Sequence, residues 1–588
     1  MIRLLICISV FLAVQCSSVQ KISLRDQPVA NNIRINQVGY FPSAPKFCII
    51  ADCTATDFHV VDSSGLVVYS GSLASSGKWK HSGEELFVGD FSRFARRGRF
   101  QVYVADLGVS APFEIRDSLY GELFKASLKS FYFQRASMEL APRYAGRWAR
   151  KAGHPDTSCI LHSSTGKSGR RSAPGGWYDA GDFGKYVTPA GITVATMLSL
   201  HERLPRVAGD DFTNIPESGN GQSDLLDEAR YQIDWMRSMQ DDDGGVFFKL
   251  SGLSWPGIIM PHEDTLTRYI IGKSTTSTLS FAGVMAQTAR IYRDIDSAYA
   301  EDCLRRAHRA WEWARKNPTV AEPKEQGGSG GYGVEQHGWM DTTCAGAQYL
   351  KEGPAVYEDE FFWAAAELYI SSGRSRYETY IKETLPEMNF TDVPAWWDLQ
   401  GMAYYSLLTT DNNLEKQLKD TVLNRVLSAA EAHLQTLQNS PYRIPYECFF
   451  WGSNASFLNT AILFSYAHTL TGDPKYYDAI LETVDYVLGK NATGYCFVTG
   501  FGNRYPRAIH HRQCGADSID EPIPGFVVGG PNKIKQDDKQ KVSWGAEYPH
   551  REPARSFVDD QKSYASNETA LNWTAPLVHI MGYLVATR

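Results

Sequence analysis

Hydrophobic and polar residues alternate between residues 33 and 116, which is the period-two pattern of half-buried β-strands. The alternating runs are short, and turn sequences that contain glycine separate them at residues 62–65, 97–98 and 107–108. Short strands at this spacing are typical of a sandwich of two packed sheets. We therefore predict a β-sandwich over residues 33–116.

The period changes after about residue 118, where long amphipathic helices replace the strands. The predicted helices are 118–140, 189–204, 222–240, 275–294, 297–317, 356–372, 396–409, 412–438, 454–471, 474–489 and 568–586. No strand is expected between them, so the pattern favours helical hairpins around an axis over residues 118–588. The loops at 241–268, 318–345 and 494–560 are long, and long loops in a compact domain are usually functional.

The first 18 residues have the pattern of a secretory signal peptide. Arg3 precedes the apolar run LLICISVFLAV, which is too short to span a membrane. Cys16 stands where a bacterial lipoprotein carries its lipidated cysteine, although the glutamine before it is larger than usual. Ordinary cleavage near Ser17 or Ser18, without lipidation, is the alternative. We expect an exported protein of the bacterial envelope, lipid-anchored at the outer membrane or periplasmic, or otherwise a secreted one.

Composition narrows the class of protein and of partner. The chain has 588 residues, of which 43% are hydrophobic and 21% charged, as is ordinary for a soluble globular protein. The 59 basic and 66 acidic side chains give a net charge of −7, and there is no basic tract, so no nucleic-acid partner is expected. A monomer is expected. The aromatic share of 12% could supply sugar-stacking rings, but most of these rings must lie in the core.

The segment GGWYDAGDFGKYV at 175–187 places Asp179 and Asp182 three residues apart in a glycine-rich stretch. Glycines permit sharp turns of the backbone. Two carboxylates on such a turn can hold and polarise one water molecule, as a general base must. A simple turn with an aspartate as helix cap explains the same spacing.

The segment FVDDQKSYASNETALNWTAPL at 557–577 contains Glu568, which we predict in the first turn of the last long helix, capped by Ser566 or Asn567. The helix dipole stabilises a glutamate there and lowers its pKa. A general acid needs a raised pKa instead. A catalytic Glu568 would therefore require an apolar pocket or neighbouring carboxylates.

The segment FVTGFGNRYPRAIHHRQ at 497–513 ends in His510, His511 and Arg512, which offer directional hydrogen bonds to sugar hydroxyls. A zinc site is the competing interpretation, but adjacent histidines rarely ligate one ion together, and no Cys or His partner has ligand spacing. Taken alone, these patterns indicate an exported helical protein with carboxylate-rich loops and go no further.

The three segments together resemble glycoside hydrolase family nine, an endoglucanase family with an (α/α) barrel of six hairpins. The intervening stretches resemble the family in the same order: IPESGNGQSDLLDEARYQIDWMRSMQ, STTSTLSFAGVMAQ, EDEFFWAAAELY and WGSNASFLNTAILFSYAHTLTGDPKYY. The likeness covers about residues 118–588. The sandwich at 33–116, which opens IRINQVGYFP, resembles the immunoglobulin-like module that precedes this barrel in one branch of the family. The resemblance implies a mainly α fold built from these two parts.

The resemblance also implies roles for individual residues. Asp182 corresponds to the catalytic base, Asp179 to the partner that helps to hold the water, and Glu568 to the catalytic acid. His510 and Arg512 match an H-x-R pair that contacts the sugar beside the cleavage point.

Two more substrate-binding residues follow from the resemblance. Trp573 lies where the family usually carries a tyrosine facing the substrate, and Asp559 matches an aspartate upstream of the acid. Packing into the core is the alternative for Trp573. Thr574 replaces the asparagine usual after that aromatic, and Cys496 replaces a small hydroxylic or β-branched residue, so the substrate preference stays open.

Members of this branch often hold a structural zinc with two Cys and two His. The corresponding positions here are Ala136 or Ser137, Gly153-His154 and Tyr178, so one ligand of four remains and zinc is not expected.

A structural calcium site is more credible than a zinc site. Asp359, Glu360 and Asp398 stand where related barrels use oxygen ligands, and carboxylates suit calcium. Ordinary charge at helix ends is the alternative. No cofactor is expected to be needed for the chemistry.

The sequence therefore predicts an inverting, endo-acting glycoside hydrolase that cleaves β-1,4-glucan backbones, whether cellulose-like, mixed-linkage or xyloglucan. An exo-acting β-glucosidase or glucosaminidase on the same scaffold is one alternative. A glycan-binding protein that has lost catalysis is another, against which the retention of Asp179, Asp182 and Glu568 argues.

Overall fold

The computed structural model describes residues 21–323, 357–388, 390 and 393–588. The predicted signal peptide with Cys16 and most of the predicted loop at 318–345 lie outside these residues, so export and lipidation stay predictions. Within the described ranges, no helix has the length and apolar character needed to cross a membrane.

The N-terminal part is the predicted β-sandwich. Its strands are β1 Ile33–Arg34, β2 Gly39–Tyr40, β3 Phe47–Ala51, β4 Asp57–Asp62, β5 Val67–Lys78, β6 Glu85–Asp90, β7 Gly98–Val104, β8 Gly108–Val109 and β9 Phe113–Ile115. They pair in the order β1-β3-β6-β5-β4-β7-β9-β2, with β8 beside β7. The long strand β5 pairs with β4 and with β6, and the core between the layers is rich in phenylalanine, including Phe58, Phe91, Phe100 and Phe113.

Helices dominate the rest of the chain. They are α1 Gly121–Phe133, α2 Pro142–Ala145, α3 Val187–Arg203, α4 Asp224–Ser238, α5 Thr275–Tyr292, α6 Ser297–Lys316, α7 Glu358–Ser372, α8 Ser375–Thr384, α9 Gln400–Thr409, α10 Lys416–Asn439, α11 Ser453–Thr471, α12 Pro474–Val487, α13 Arg512–Ala516, α14 Tyr564–Asn567 and α15 Leu571–Ala586. The helix at 375–384 was not predicted, because it is short and buries only Tyr377 and Ile381.

The helices form a closed (α/α) barrel of six hairpins. Helices α3, α5, α7, α9, α11 and α15 form the inner ring, and most of their residues are buried, as expected of helices that are apolar nearly all round. Their outer partners are α4, α6, α8, α10, α12 and α1 in the same order, and the last helix packs against α3 to close the ring. The predicted fold class is confirmed.

The expectation that no strand interrupts the helices is wrong. A five-stranded sheet consists of β10 Cys159–Leu161, β11 Arg170–Arg171, β12 Lys185–Tyr186, β13 Phe247–Ser251 and β14 Tyr269–Lys273. Four of these strands are too short or too irregular to give a period-two signal. All five residues of β13 are buried, so that strand reads as a continuous run rather than an alternation. The sheet matters because β12 begins three residues after Asp182.

Part of the sandwich packs into the core of the barrel, while the sandwich keeps a separate core between its own layers. Phe41, Ala44 and Trp79 of the sandwich belong to the same hydrophobic cluster as the barrel helices. Beside this cluster, the buried side chains of Arg34 and Glu84 form an ion pair at 2.7 Å, and the Arg34 guanidinium also donates to the Tyr442 hydroxyl of the barrel. The sandwich is therefore packed into the barrel rather than tethered beside it.

Candidate active site

Asp179 and Asp182 lie on one closed turn. The Gly184 amide donates to Asp182 Oδ2 at 3.0 Å, and the Asp179 amide donates to the Gly184 carbonyl at 2.9 Å. Gly184 has no room for a side chain, since a Cβ would lie 2.6 Å from the ring of Tyr186 and 2.8 Å from Asp182 Oδ2. Both carboxylates are almost buried, and Asp182 lines a cleft that Trp255 also lines.

A buried ion cluster that the sequence analysis missed supports this turn. Lys185 Nζ lies 2.7 Å from Asp156 Oδ2, and Arg268 Nε lies 3.0 Å from Asp156 Oδ1. Arg268 also donates to the carbonyl of Phe183 at 2.8 Å, and Lys185 donates to that of Gly175 at 2.7 Å. Burial alone would raise the pKa of Asp156, but the two cations outweigh it and hold that pKa well below its usual range.

The prediction that Glu568 begins the last helix is wrong. Helix α15 starts at Leu571 with Ala570 as its cap residue, and Glu568 has an extended backbone with φ −76° and ψ 154°. Glu568 instead forms a parallel β-bridge with His510. The Leu571 amide donates to the carbonyl of Asp179 at 2.9 Å, so the first turn of α15 is tied to the aspartate turn. The helix dipole therefore does not act on Glu568 in the way expected.

The Glu568 carboxyl meets the aspartate turn directly. The Gly181 amide donates to Glu568 Oε1 at 3.2 Å. Burial raises the pKa of Glu568 well above its usual value, and the negative charge of Asp182 raises it further, against the opposing charge of Arg512. A carboxyl whose pKa is raised in this way is suited to donate a proton.

His510 and Arg512 reach the same place from the third segment. The backbone amide and the guanidinium of Arg512 both donate to the Gly181 carbonyl at 3.0 Å. His510 Nδ1 donates to the carbonyl of Gln561 at 2.6 Å, and burial lowers the pKa of His510 to about 4. The imidazole is therefore neutral at pH 7. Gly181 is the point where all three segments converge, and a Cβ there would collide with the His510 carbonyl.

The neighbouring His511 has a supporting position. Its Nε2 lies 3.0 Å from Oε1 of Gln134, whose Nε2 donates to the carbonyl of Ala180 at 3.0 Å. Burial lowers the pKa of His511 to about 3. The two histidine rings therefore have separate partners. Within the described ranges, no group of three or more His, Cys, Asp or Glu side chains is already arranged as a metal site, so any ion would have to draw its ligands together.

Asp559 holds the backbone that leads to His510. Its carboxylate accepts hydrogen bonds from the amides of Arg507 at 2.8 Å and Ala508 at 2.9 Å, and from Asn567 Nδ2 at 3.1 Å. These contacts explain a positioning role, and direct contact of Asp559 with a sugar stays a prediction.

Trp573 is only 8% exposed and belongs to the large hydrophobic core. It packs against Gly452, where a Cβ would lie 2.6 Å from the indole Nε1. It also lines a cavity together with Trp396, Trp397 and Trp451. The side chain thus combines the core packing and the cavity-facing position that the sequence left as alternatives.

The residues at the positions that correspond to zinc ligands form hydrogen bonds with each other. The Ser137 hydroxyl donates to the His154 carbonyl at 2.7 Å. His154 Nδ1 lies 2.7 Å from the Tyr178 hydroxyl, and Nε2 lies 3.0 Å from Asp264 Oδ2. Both ring nitrogens of His154 are thus engaged. That the protein binds no zinc stays a prediction.

The three acidic residues predicted to bind calcium lie around the start of α9. Asp359 Oδ2 accepts from the Leu399 amide at 2.8 Å, and Asp398 Oδ1 accepts from the Gln400 amide at 3.1 Å. Glu360 Oε2 is buried and accepts no hydrogen bond from the described residues. Burial raises the pKa of Glu360 well above its usual value, and the charge of Asp359 raises it further. A buried carboxylate oxygen without a donor is one that a cation could satisfy.

Comparisons with known proteins agree with this geometry. The family model Glycosyl hydrolase family 9 matches residues 120–581, and the model of the cellulase N-terminal ig-like domain matches residues 29–109. The chain is 35% identical over 572 residues to a xyloglucan-specific endo-β-1,4-glucanase of Bacteroides ovatus, covering 94% of each chain. It is 30% identical over 622 residues to a cellulose 1,4-β-cellobiosidase of Acetivibrio thermocellus, covering 94% of this chain and 67% of that one.

Solved structures give the same result. A structure titled Bacteroides ovatus GH9 superposes with a TM-score of 0.84 at 33% sequence identity, covering 95% of this chain and 99% of that one.

Proposed function

Because the chain belongs to glycosyl hydrolase family 9, it is a glycoside hydrolase, and we propose that it cleaves β-1,4-glucan backbones at internal bonds with inversion. The observation that carries the proposal is the meeting of the two aspartates and Glu568 at Gly181, with the pKa of Glu568 strongly raised. Inverting hydrolysis requires one carboxyl as general acid and a second as general base, and Glu568 and Asp182 can supply this pair, with Asp179 beside the base.

In the proposed reaction Glu568 donates its proton to the glycosidic oxygen as the C–O bond breaks. Asp182 takes a proton from the water that attacks the anomeric carbon from the opposite face, and Asp179 helps to hold that water. The product at the new reducing end therefore has inverted configuration. His510, as a neutral imidazole, and Arg512 contact the sugar beside the broken bond. Arg512 binds the carbonyl of Gly181, whose amide binds Glu568, and His510 is bridged to Glu568 itself.

The substrate class is proposed from the relatives. The Bacteroides ovatus relative is named for xyloglucan, so we propose xyloglucan or another soluble β-1,4-linked glucan as the substrate. The Acetivibrio thermocellus relative is named a cellobiosidase, which keeps exo-action as the outcome that a test must distinguish.

We expect the purified protein to release a ladder of oligosaccharides from xyloglucan, mixed-linkage glucan or carboxymethyl cellulose. NMR at early time should show the α-anomer first. Mainly monosaccharide or cellobiose would mean exo-action. Retention of polysaccharide in an affinity gel without new reducing ends would mean a binding protein, and an early β-anomer would overturn the assigned mechanism.

We further propose that Asp359, Glu360 and Asp398 supply oxygen ligands to a structural calcium ion. The buried Glu360 oxygen without a hydrogen-bond donor supports this proposal. A ligand that binds only the folded state stabilises it, by about 2.7 kcal/mol at a concentration a hundredfold above its dissociation constant. We therefore expect a chelator to lower the melting temperature and added calcium to restore it.

An Asp398→Asn variant is the matched test, since it weakens the ligand set and should melt at the same temperature with and without chelator. Unchanged melting of the unmodified protein in chelator would remove the calcium proposal.

A further inference from the structure

Two tryptophans are conspicuously exposed. The sequence contains 14 tryptophans, and among the described residues the large exposed side chains include only two of them, Trp255 at 51% and Trp544 at 55%. Trp255 lines the cleft beside Asp182. Trp544 lies in the long loop that precedes the segment carrying Glu568, and it is not one of the predicted site residues. Single exposed apolar residues are normal on a protein surface, so exposure alone assigns Trp544 no function.

The surroundings of Trp544 connect it to the catalytic acid. Its ring lies 5.6 Å from that of Tyr564, at an interplanar angle of 35°. Tyr564 lies 5.3 Å from the ring of Trp451 and 6.1 Å from that of His510. Burial, together with the carboxyl groups of Asp537 and Glu568, raises the pKa of Tyr564 to about 12. Tyr564 thus lies next to the acid, and Trp544 lies one ring further out.

The loop that presents Trp544 is tied down at its base. The Ala546 amide donates to the Asp537 carbonyl at 2.8 Å, and the Lys539 amide donates to the Ala546 carbonyl at 2.8 Å. The Asp537 side chain accepts from the Ala565 amide at 2.7 Å, in the segment that also carries Tyr564. A Cβ on Gly545 would collide with the Asp537 carbonyl, so the loop closes only with glycine after Trp544.

These observations indicate that the Trp544 ring, held by its loop and backed by Tyr564, is a stacking platform, meaning a fixed flat surface on which a sugar ring can lie. The pyranose ring of a β-1,4-glucan has its hydroxyls near the ring plane and exposes C–H groups on both faces, which stack on flat aromatic rings. Removing those faces and the exposed indole from water is favourable. We propose that Trp544, backed by Tyr564, binds one glucose unit of a β-1,4-glucan chain at a subsite beyond the sugar that contacts His510. The proposal rests on the proposed function, because it takes the same chain as ligand.

The test compares substrates of different length. For Trp544→Ala we expect the KM for cellohexaose or a xyloglucan heptasaccharide dimer to rise roughly tenfold, the equivalent of about 1.4 kcal/mol of lost stacking. The kcat at saturation and all constants for cellotriose should stay as in the unmodified protein, because a short substrate can occupy the cleavage point without reaching the platform. Trp544→Phe keeps a flat ring and should recover most of the affinity.

Ile295→Ala is the matched control, since Ile295 is 48% exposed and lies in the turn between α5 and α6. It should leave every constant unchanged. Equal KM values for long substrates in the unmodified protein and in Trp544→Ala would overturn the platform, as would an equal loss on cellotriose. Absence of hydrolysis of any β-glucan by the unmodified protein would instead contradict the proposed function, so the two failures are distinguishable.

Discussion

Replacing Asp182 by alanine should reduce turnover on every β-glucan by at least about a thousandfold, because the attacking water is then no longer deprotonated. Asp182 accepts a hydrogen bond from the Gly184 amide and lies beside the carboxyl of Glu568, and Asp179, which helps to hold the same water, is not expected to replace it as base. Initial rates on polysaccharide and on an aryl cellobioside measure the loss. Near-normal activity of Asp182→Ala on either substrate would contradict its role as base.

Glu568→Gln should reduce activity much more on substrates with poor leaving groups than on substrates with good ones. Polysaccharide needs a proton on its departing oxygen, so we expect a loss of about a thousandfold, whereas a dinitrophenyl cellobioside leaves without protonation and should lose less than about tenfold. Asp179→Asn should lose less activity than Asp182→Ala and still fall below the unmodified protein, since it disturbs the placement of the water without removing the base. Equal losses on both substrates in Glu568→Gln would show that Glu568 is not the acid.

The pH dependence follows from the raised pKa of Glu568. The acid must be protonated, so activity should be lost as pH rises through the Glu568 pKa, while loss at low pH follows protonation of the base. The basic limb should disappear for the dinitrophenyl substrate. Ionising Glu568 costs more in the folded than in the unfolded chain, so Glu568 reduces stability above the ordinary glutamate pKa. Glu568→Gln should therefore melt at the same temperature or higher at neutral pH, which controls for folding.

The sequence predicts those parts of the site in which the reactive residues and the residues that shape their backbone are neighbours in the chain. The glycine-rich turn of Asp179 and Asp182 is readable because glycine and carboxylate residues are adjacent in the chain. The position of Glu568 is not, since the residues that keep it extended are His510 and Gly181, far away along the chain. A cap-like serine and asparagine before an apolar run therefore predicted a helix start three residues too early.

The buried ion cluster that supports the aspartate turn could not be predicted from the sequence for the same reason. Asp156, Lys185 and Arg268 are spread over more than a hundred residues, and isolated charges in a sequence are normally solvated. Only folding shows that they are buried together under Phe183. The five-stranded sheet escapes prediction because its strands are two to five residues long and lack alternation. Long helices, by contrast, are readable individually, whether amphipathic in the outer ring or buried nearly all round in the inner ring, and they define the barrel.

The second large effect is expected from removing the sandwich. Deleting the residues up to 116 uncovers the barrel surface that packs against Phe41, Ala44 and Trp79, and it takes away the Asn36 side chain that donates to Asp485 Oδ1 at 2.8 Å. Exposed apolar surface of this kind promotes association. We expect an isolated barrel that is insoluble, or that melts about 10 °C or more below the full chain. A soluble, equally stable and fully active barrel would show that the sandwich is dispensable.

The Gln37 side chain of the sandwich also binds the barrel loop that leads to His510. Gln37 Oε1 accepts from the amides of Asn503 and Arg504, both at 2.8 Å, and its Nε2 donates to the Gly494 carbonyl at 2.8 Å. A Cβ at Gly502 would lie 3.0 Å from Gln37 Oε1, so the barrel loop is shaped to admit this residue. The clamped backbone runs on to His510, six residues later.

We therefore expect Gln37→Ala to lower kcat/KM on polysaccharide by about five- to tenfold, with a loss of about 1–2 kcal/mol in stability from the unpaired amides. Hydrogen exchange at the Asn503 and Arg504 amides should accelerate. Gln37→Glu keeps the acceptor for both amides and should recover most of the activity. The matched control is Gln101→Ala, since Gln101 bonds only within the sandwich, to the Ser110 carbonyl at 2.7 Å. If both alanine variants lose stability and activity equally, Gln37 contributes to the fold alone and does not position the segment that carries His510.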